Sequence, residues 1–590
     1  MIARPTLPWS VISMNEEIRR LILKHALLNA IRHGGRADSK AVMGKIMAER
    51  KDLRKMAREL AKEVKRIVEE VNSMSINEQR DLLTKEFKDE LEKLKEERKI
   101  SREDLPPLPN VKEAIRKYGT ITTRFAPAPT GALHIGQILR AAMLSYLYAK
   151  KYNGRMILRI EDTDPRVIKR VYYDWIMEDL SKLGIKWDKL VIMSDRFERY
   201  YEIAEKLISE GKAYVCTCSA DDFRRYKENK IPCPDRNLSV EEHMKRWNMM
   251  LEGHYSEGEA VVRLKVDMSH PNPVLRDPPL LRIVDSVPHP RTGYKYCVYP
   301  LYNFGCAVED HLERITHVIR AKEHEHNAAV QSKIYEAMGW EMPTMIQYGM
   351  VYIEGFKIHK RHIREGLRKG EISGWDDIRL PTIRALLRRG IQPETIRRLA
   401  IEVSLTPHDI KLSMETLYAI NRQIIDPKAN RYFFVKDPVE LIINEAPTPI
   451  EIKIRLHPQH PERGFKLYRL KESPMHLMIS KDDLNMFAKG KEIRLMGLFN
   501  IKVEEVSEKK IVATYSGDEI VKGMPKIQWV HPNMALWTLV SKPDGTVDKG
   551  MAEFYAQYIK EGEIVQFERY GFVRLERNEG EVLRFVFLHN

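Results

Sequence analysis

The stretch RFAPAPTGALHIGQ, residues 124–137, crowds two prolines and two glycines around a single histidine. It is preceded by the β-branched run TITTRF and followed by the long apolar run ILRAAMLSYLYAKKY. A proline–glycine turn between a short β-like segment and a helix-like one forces a strand–turn–helix unit. The pattern repeats: RMILRIEDTDP reads as a strand, VIKRVYYDWIMEDLSKLG as a helix, and KLVIMSDR as a short apolar segment. Strands alternating with crossover helices predict an α/β fold with a parallel sheet. In such sheets ligands sit at the carboxyl ends of strands, against helix N-termini whose free N–H groups favour anions. Gly131 and Gly136 leave room for a nucleotide to approach the backbone, and His134 is placed to reach a phosphate. Four letters such as HIGQ occur by chance; joined to RFAPAPTG at fixed spacing they carry weight.

At 590 residues the chain exceeds a single core and suggests three to five domains. Residues 1–110 read as a helical extension, with EEIRRLILKHALLNAIRHGG closing on paired glycines. Two further charge-laced runs in this region fit a coiled coil or a small bundle. LPPLPN, residues 105–110, then breaks helix. The α/β region spans 118–350 and is interrupted by a Cys-, Pro- and Asp-rich insertion at about 212–300. Residues 351–425, including GWDDIRLPTIRALLRRG and PETIRRLAIEV, read as mainly helical. From 426 to 590 short strands with frequent turns indicate β-barrels.

Lys and Arg number 99 against 84 Asp and Glu, a net charge of +15. That excess suits a polyanion, and equally a solvated basic surface. Five cysteines in a chain without a secretory signature point to thiols or a metal site rather than disulfides. No apolar run is long enough to span a bilayer, so a cytoplasmic protein is expected.

Four ordered motifs carry a family resemblance. RFAPAPTGALHIGQ resembles the HIGH signature of class I aminoacyl-tRNA synthetases, specifically the glutamyl and glutaminyl branch, and RIEDTDP follows at that branch's spacing. YPLYNFGCAVEDHLERITHVIRAKEH, residues 299–324, resembles its amino-acid pocket segment, and KIHKR, residues 357–361, its KMSKS loop. The likeness covers about residues 118–590. It implies a Rossmann-like catalytic domain with an inserted acceptor-binding subdomain, a helical stem-contact region and two C-terminal β-barrels that bind the anticodon. Barrels rather than a helical cage place it with archaeal and eukaryotic relatives, and the helical N-terminus with the archaeal ones.

The resemblance also implies roles. Pro127, Ala128, Pro129, Thr130, Gly131, Ala132, Leu133, His134, Ile135, Gly136 and Gln137 would form the ATP-binding loop, and Lys357 and Lys360 would stabilise charge on the α-phosphate side. Glu161 would take the substrate ammonium, with Arg124, Tyr302 and Arg320 on the side-chain carboxylate. Cys306 lies in the pocket segment without an assigned role. The expected reaction is activation of L-glutamate with ATP and Mg²⁺ and its transfer to the 3′ end of tRNA(Glu), with tRNA(Gln) left open and a monomer expected. Arg320 favours glutamate, since glutaminyl relatives typically carry cysteine there. The alternatives are glutaminyl specificity and a non-catalytic tRNA-binding paralogue. Two departures stand out: Gln137 replaces the second histidine of HIGH, and His359 the serine of KMSKS. Gln137 retains an amide that can donate to a phosphate or ribose oxygen. Cys216, Cys218, Cys233 and Asp235 have the spacing of a zinc knuckle, with His243 as a substitute donor. Structural zinc wants four N or S ligands, so free thiols are the expectation.

Overall fold

A computed structural model describes residues 16–32, 35–87, 105–354 and 360–590. They fall into two compact units that divide between Leu105 and Pro106.

The first unit is a helical bundle of Glu16–Arg32, Ser39–Glu49, Ala57–Ser73 and Ile76–Glu86. On Ala57–Ser73 the residues Leu60, Val64, Ile67, Val68 and Val71 repeat at three- and four-residue steps and are all buried. They share one core with Ile22, Ala26, Val42, Ile46 and Leu83 from the other three helices. That common core makes the region a bundle rather than a coiled coil. Ser75 and Glu78 start the fourth helix with a reciprocal capping box. The rest of the third charge-laced run, residues 88–98, lies outside the described residues.

The second unit is built on five parallel strands, Thr122–Phe125 (β1), Arg155–Ile160 (β2), Lys189–Ile192 (β3), His317–Ala321 (β4) and Thr344–Tyr348 (β5). β2 lies between β1 and β3, and β4 pairs with β5. The two sets join where Thr316 N–H donates to Thr122 O and Thr122 N–H to Thr316 Oγ1, both at 2.9 Å. The order is therefore β3-β2-β1-β4-β5, with the direction of winding reversing between β1 and β4. A crevice opens at the carboxyl ends there. Every residue of β1 and β4 is buried, as expected of parallel strands covered on both faces. Yet each strand carries an arginine near its carboxyl end, Arg124 and Arg320, a placement core packing alone does not favour.

The insertion is a four-stranded antiparallel sheet, Ala213–Cys216, Val261–Leu264, Pro279–Ile283 and Val298–Pro300, with helices Ala220–Asn229 and Val240–Leu251. Residues 374–390 differ from expectation: the helix covers only Ile383–Arg389. Pro381 blocks its upstream extension, and Thr382 caps it by accepting from Ala385 N–H.

The C-terminal strands form two barrels. In one, the sheet runs from Arg431–Tyr432 at one edge to Phe434–Lys436 at the other, so a single segment closes both ends. The other contains six strands and is closed by reciprocal hydrogen bonds between Met478 and Val530, at 2.8 and 3.0 Å. Among the described residues no helix is long and apolar enough to cross a membrane.

Candidate active site

The crevice at the β1–β4 switch holds a cavity of about 530 Å³. Arg124 and residues 125–128 line it from the end of β1, Arg320 from the end of β4, and Tyr348 from the end of β5. His134, Gly136 and Gln137 enter from the turn, Tyr302 and His324 from the pocket segment. A smaller cavity of about 220 Å³ adjoins it, sharing Ala128 and Tyr302 and lined also by Thr130, Glu161 and Cys306. Pro129, Gly131, Ala132, Leu133 and Ile135 line neither cavity.

The local fold of the turn explains its composition. His134 is the N-cap of a helix that starts at Ile135 and passes through a π-helical turn, Ile138–Ala142, into Met143–Lys151. The His134 Nδ1 accepts from Gln137 N–H at 3.3 Å, so a neutral ring carries its proton on Nε2. Reciprocally, Gln137 Oε1 accepts from His134 N–H at 3.3 Å. Gln137 thus spends its carbonyl on capping; only its NH₂ end is left to serve a ligand. A Cβ on Gly136 would meet the His134 ring at 3.2 Å, so this glycine makes room for the histidine. Gly131 serves packing rather than ligand approach: φ is +145°, and a Cβ would strike the Trp375 ring at 2.3 Å. Within the π turn, fully buried Arg140 donates to the carbonyl oxygens of Gly349, His408 (3.4 Å) and Val403 (3.1 Å), clamping this helix to the chain beyond β5.

The charged groups are sorted with care. Arg159 is buried and donates to Asp310 Oδ1 at 2.6 Å and to Glu161 Oε1 at 2.9 and 3.2 Å. Desolvation opposes its charge, but the two carboxylates outweigh it and hold the guanidinium protonated. Cys306 Sγ also donates to Glu161 Oε1, at 3.1 Å. Burial, then the neighbouring Glu161, push that thiol well above the ordinary range, so it remains a donor. Oε1 is thereby saturated, while Oε2 takes no hydrogen bond among the described residues. Arg124 lies 3.5 Å from Asp310.

Arg320 is treated differently. Its Nη1 donates to Gln331 Oε1 at 2.9 Å, while Nε and Nη2 are buried without a hydrogen-bond partner among the described residues. Unpaired N–H groups of a buried guanidinium are costly. Nε and Nη2 form the edge that matches a carboxylate bidentately. The Tyr302 ring packs against His324 at a tilt of 31°, centroids 5.5 Å apart. Burial and the adjacent Arg320 push His324 below its usual value, so the ring adds no competing cation.

Arg124, Tyr302 and Arg320 therefore share one cavity, and Glu161 faces its neighbour across Tyr302 and Ala128. Sequence reading did not single out Arg159, Asp310, His324 or Gln331. The signal available was positional, since the first three lie in RIEDTDP or the pocket segment. Residues 355–359, including Lys357, lie outside the described residues; Lys360 begins the helix Lys360–Lys369.

In the insertion the sulfurs of Cys216, Cys218 and Cys233 lie within 4.8 Å of one another, with Cys216 and Cys233 3.9 Å apart. Tetrahedral zinc–sulfur bonds of about 2.3 Å place neighbouring sulfurs about 3.8 Å apart, so the triad fits three corners. Asp235 touches the cluster only at its edge, where Cys218 Sγ donates to Oδ2 at 3.6 Å, and it is not one of the residues whose ligand atoms lie within 4.8 Å of one another. Its Oδ1 binds Arg246 at 2.8 Å and its Oδ2 accepts from Thr217 N–H at 2.7 Å. His243 is buried against Tyr214 and also stands outside the cluster. Among the described residues the cluster offers three donors, one short of a structural zinc site.

Comparison with known proteins agrees with this architecture. Residues 120–427 match the catalytic domain of the class I tRNA synthetases (E and Q). Residues 429–516 and 522–576 match two anti-codon binding domains of the same synthetases. Glutamate–tRNA ligase of Pyrococcus furiosus is 47% identical over 97% of this chain and 100% of its own length. That of Pyrococcus abyssi is 48% identical over the same shares, and that of Methanopyrus kandleri 42% identical over 98% and 100%. By sequence and by the match to all three domains, the chain belongs to the class I tRNA synthetases of the glutamate and glutamine branch.

Proposed function

We propose that this chain is a glutamate–tRNA ligase. It activates L-glutamate with ATP and Mg²⁺ to glutamyl-adenylate and passes the glutamyl group to the 3′-terminal ribose of tRNA(Glu). The observation that carries the substrate choice is the vacant Nε/Nη2 edge of Arg320 on the cavity wall. An anionic side chain repays its desolvation; a neutral amide would leave the guanidinium charge unmatched. Glu161, held by Arg159 and Cys306 through one oxygen, is the anion for the substrate ammonium. His134 Nε2–H and the backbone of the turn would hold the phosphates at the helix start. No protein nucleophile is required, because positioning and electrostatic stabilisation supply the rate. Mass analysis of the 3′-terminal nucleoside after reaction with purified tRNA(Glu) and ATP tests the reading. Glutamyl-adenosine is expected; glutaminyl-adenosine from an equimolar mixture of both amino acids would refute it.

Two further expectations follow from charge and from the cysteine cluster. Binding of tRNA should weaken steeply between low and moderate salt, as where several Lys and Arg release counterions from phosphates. The +15 charge is the basis, and a dissociation constant that stays flat would contradict it. Because the thiol triad has no fourth clustered donor among the described residues, fully active protein purified without added zinc should carry far less than one zinc per chain. Near-stoichiometric zinc that is lost on Cys218→Ala would overturn that expectation.

A further inference from the structure

We infer that Gln331 is a specificity-positioning residue: its neutral amide turns Arg320 toward the substrate and leaves the arginine's charge for the substrate to neutralise. The inference rests on the reading of Arg320 as the partner of the substrate side-chain carboxylate.

Gln331 lies on the helix Glu325–Met338 and is fully buried. It does not line the cavity, so it acts through Arg320 rather than on substrate. A guanidinium offers carboxylates two bidentate edges, Nη1/Nη2 at its end and Nε/Nη2 at its side. The 2.9 Å bond from Nη1 to Gln331 Oε1 occupies the end edge and leaves the side edge, the one with both atoms unpaired. Gln331 is anchored in turn by its Nε2, which approaches Asn303 Oδ1 at 3.4 Å on the helix that begins with Tyr302. The orienting chain therefore runs Asn303–Gln331–Arg320 and ends on the cavity wall.

The chemical type of the anchor matters as much as its place. Another buried arginine beside the site, Arg159, is held by two carboxylates, Asp310 and Glu161, and its charge is spent within the protein. Arg320 has no carboxylate partner among the described residues. A carboxylate at position 331 would occupy the same space as the amide but would form the ion pair internally. Substrate glutamate would then compete with a permanent, intramolecular anion.

The test uses the full chain with tRNA(Glu) and measures glutamate-, glutamine- and ATP-dependent pyrophosphate exchange. For Gln331→Glu, the KM for glutamate should rise about 10- to 100-fold, the range for a hydrogen bond to a charged group, with the KM for ATP within about twofold of wild type. The glutamate-to-glutamine ratio of kcat/KM should fall at least about tenfold. Gln331→Met keeps the volume and removes the acceptor, and should raise the glutamate KM by about 2- to 10-fold. Parallel rises in the glutamate and ATP KM values in both variants would reveal a merely structural role and overturn the inference. So would an unchanged glutamate KM in both. Arg320→Cys separates the two levels: if it abolishes glutamate preference while both Gln331 variants behave as wild type, only the positioning role fails. If Arg320→Cys leaves the preference intact, the reading beneath it fails.

Discussion

Arg320→Cys should reduce glutamate activation by about 100- to several-thousand-fold, because leaving one partner of a desolvated charge pair alone commonly costs about 3–5 kcal/mol. The arginine lies next to the end of a fully buried strand, and its Nε and Nη2 have no hydrogen-bond partner among the described residues. Without it Arg124 remains on the cavity wall, and that guanidinium already faces Asp310 at 3.5 Å. A glutamine side chain needs no counter-charge, so its activation should fall much less and the glutamine-to-glutamate ratio should rise. Efficient glutamine use is not required, since Tyr302 and Arg124 stay in place. Adenylate formation with each amino acid, tRNA present, checks this; an unchanged preference for glutamate would move the specificity elsewhere.

Lys360→Ala should slow the activation step by about 10²–10³-fold, the usual cost of removing one electrostatic stabiliser of the transition state. Its place in KIHKR is the basis, at the start of the helix Lys360–Lys369 and nine residues beyond Val351, which lines the large cavity. A cation needed chiefly as charge grows on the α-phosphate side lowers kcat and leaves glutamate binding nearly unaltered. Single-turnover measurement of adenylate formation separates the two. A normal single-turnover rate would mean that KIHKR is a solvated basic loop.

What the sequence made legible follows the strength of its local signals. The strand–turn–helix at 120–152 was readable because proline and glycine separate two strongly apolar runs. The strands around Leu441, Ile501 and Phe585 were readable because apolar and polar residues alternate or apolar ones run on between turn residues. Leu536–Ser541 and Val547–Ala552 were not: they mix polar residues and carry Gly550, whose missing Cβ lets the Val435 carbonyl and the Phe434 ring approach. That is a tertiary reason, invisible to local pattern. GWDDIRLPTIRALLRRG misled for the opposite reason, its helical composition overridden by Pro381 and the Thr382 cap. At the site, the residue types were legible and their partners were not. Nothing local distinguishes Arg159, cancelled by two carboxylates, from Arg320, held by an amide. Gly131 looked like a nucleotide-facing glycine and instead accommodates Trp375, 244 positions away in a segment with no sequence mark of the contact.

The central claim is that the cavity selects an anionic amino acid. Amino-acid-dependent exchange of pyrophosphate into ATP, measured on the purified chain with tRNA(Glu) present and with glutamate and glutamine supplied separately, tests it most directly. Robust exchange with glutamate and at least about 100-fold lower kcat/KM with glutamine is the predicted result. Equal or preferential exchange with glutamine would contradict it.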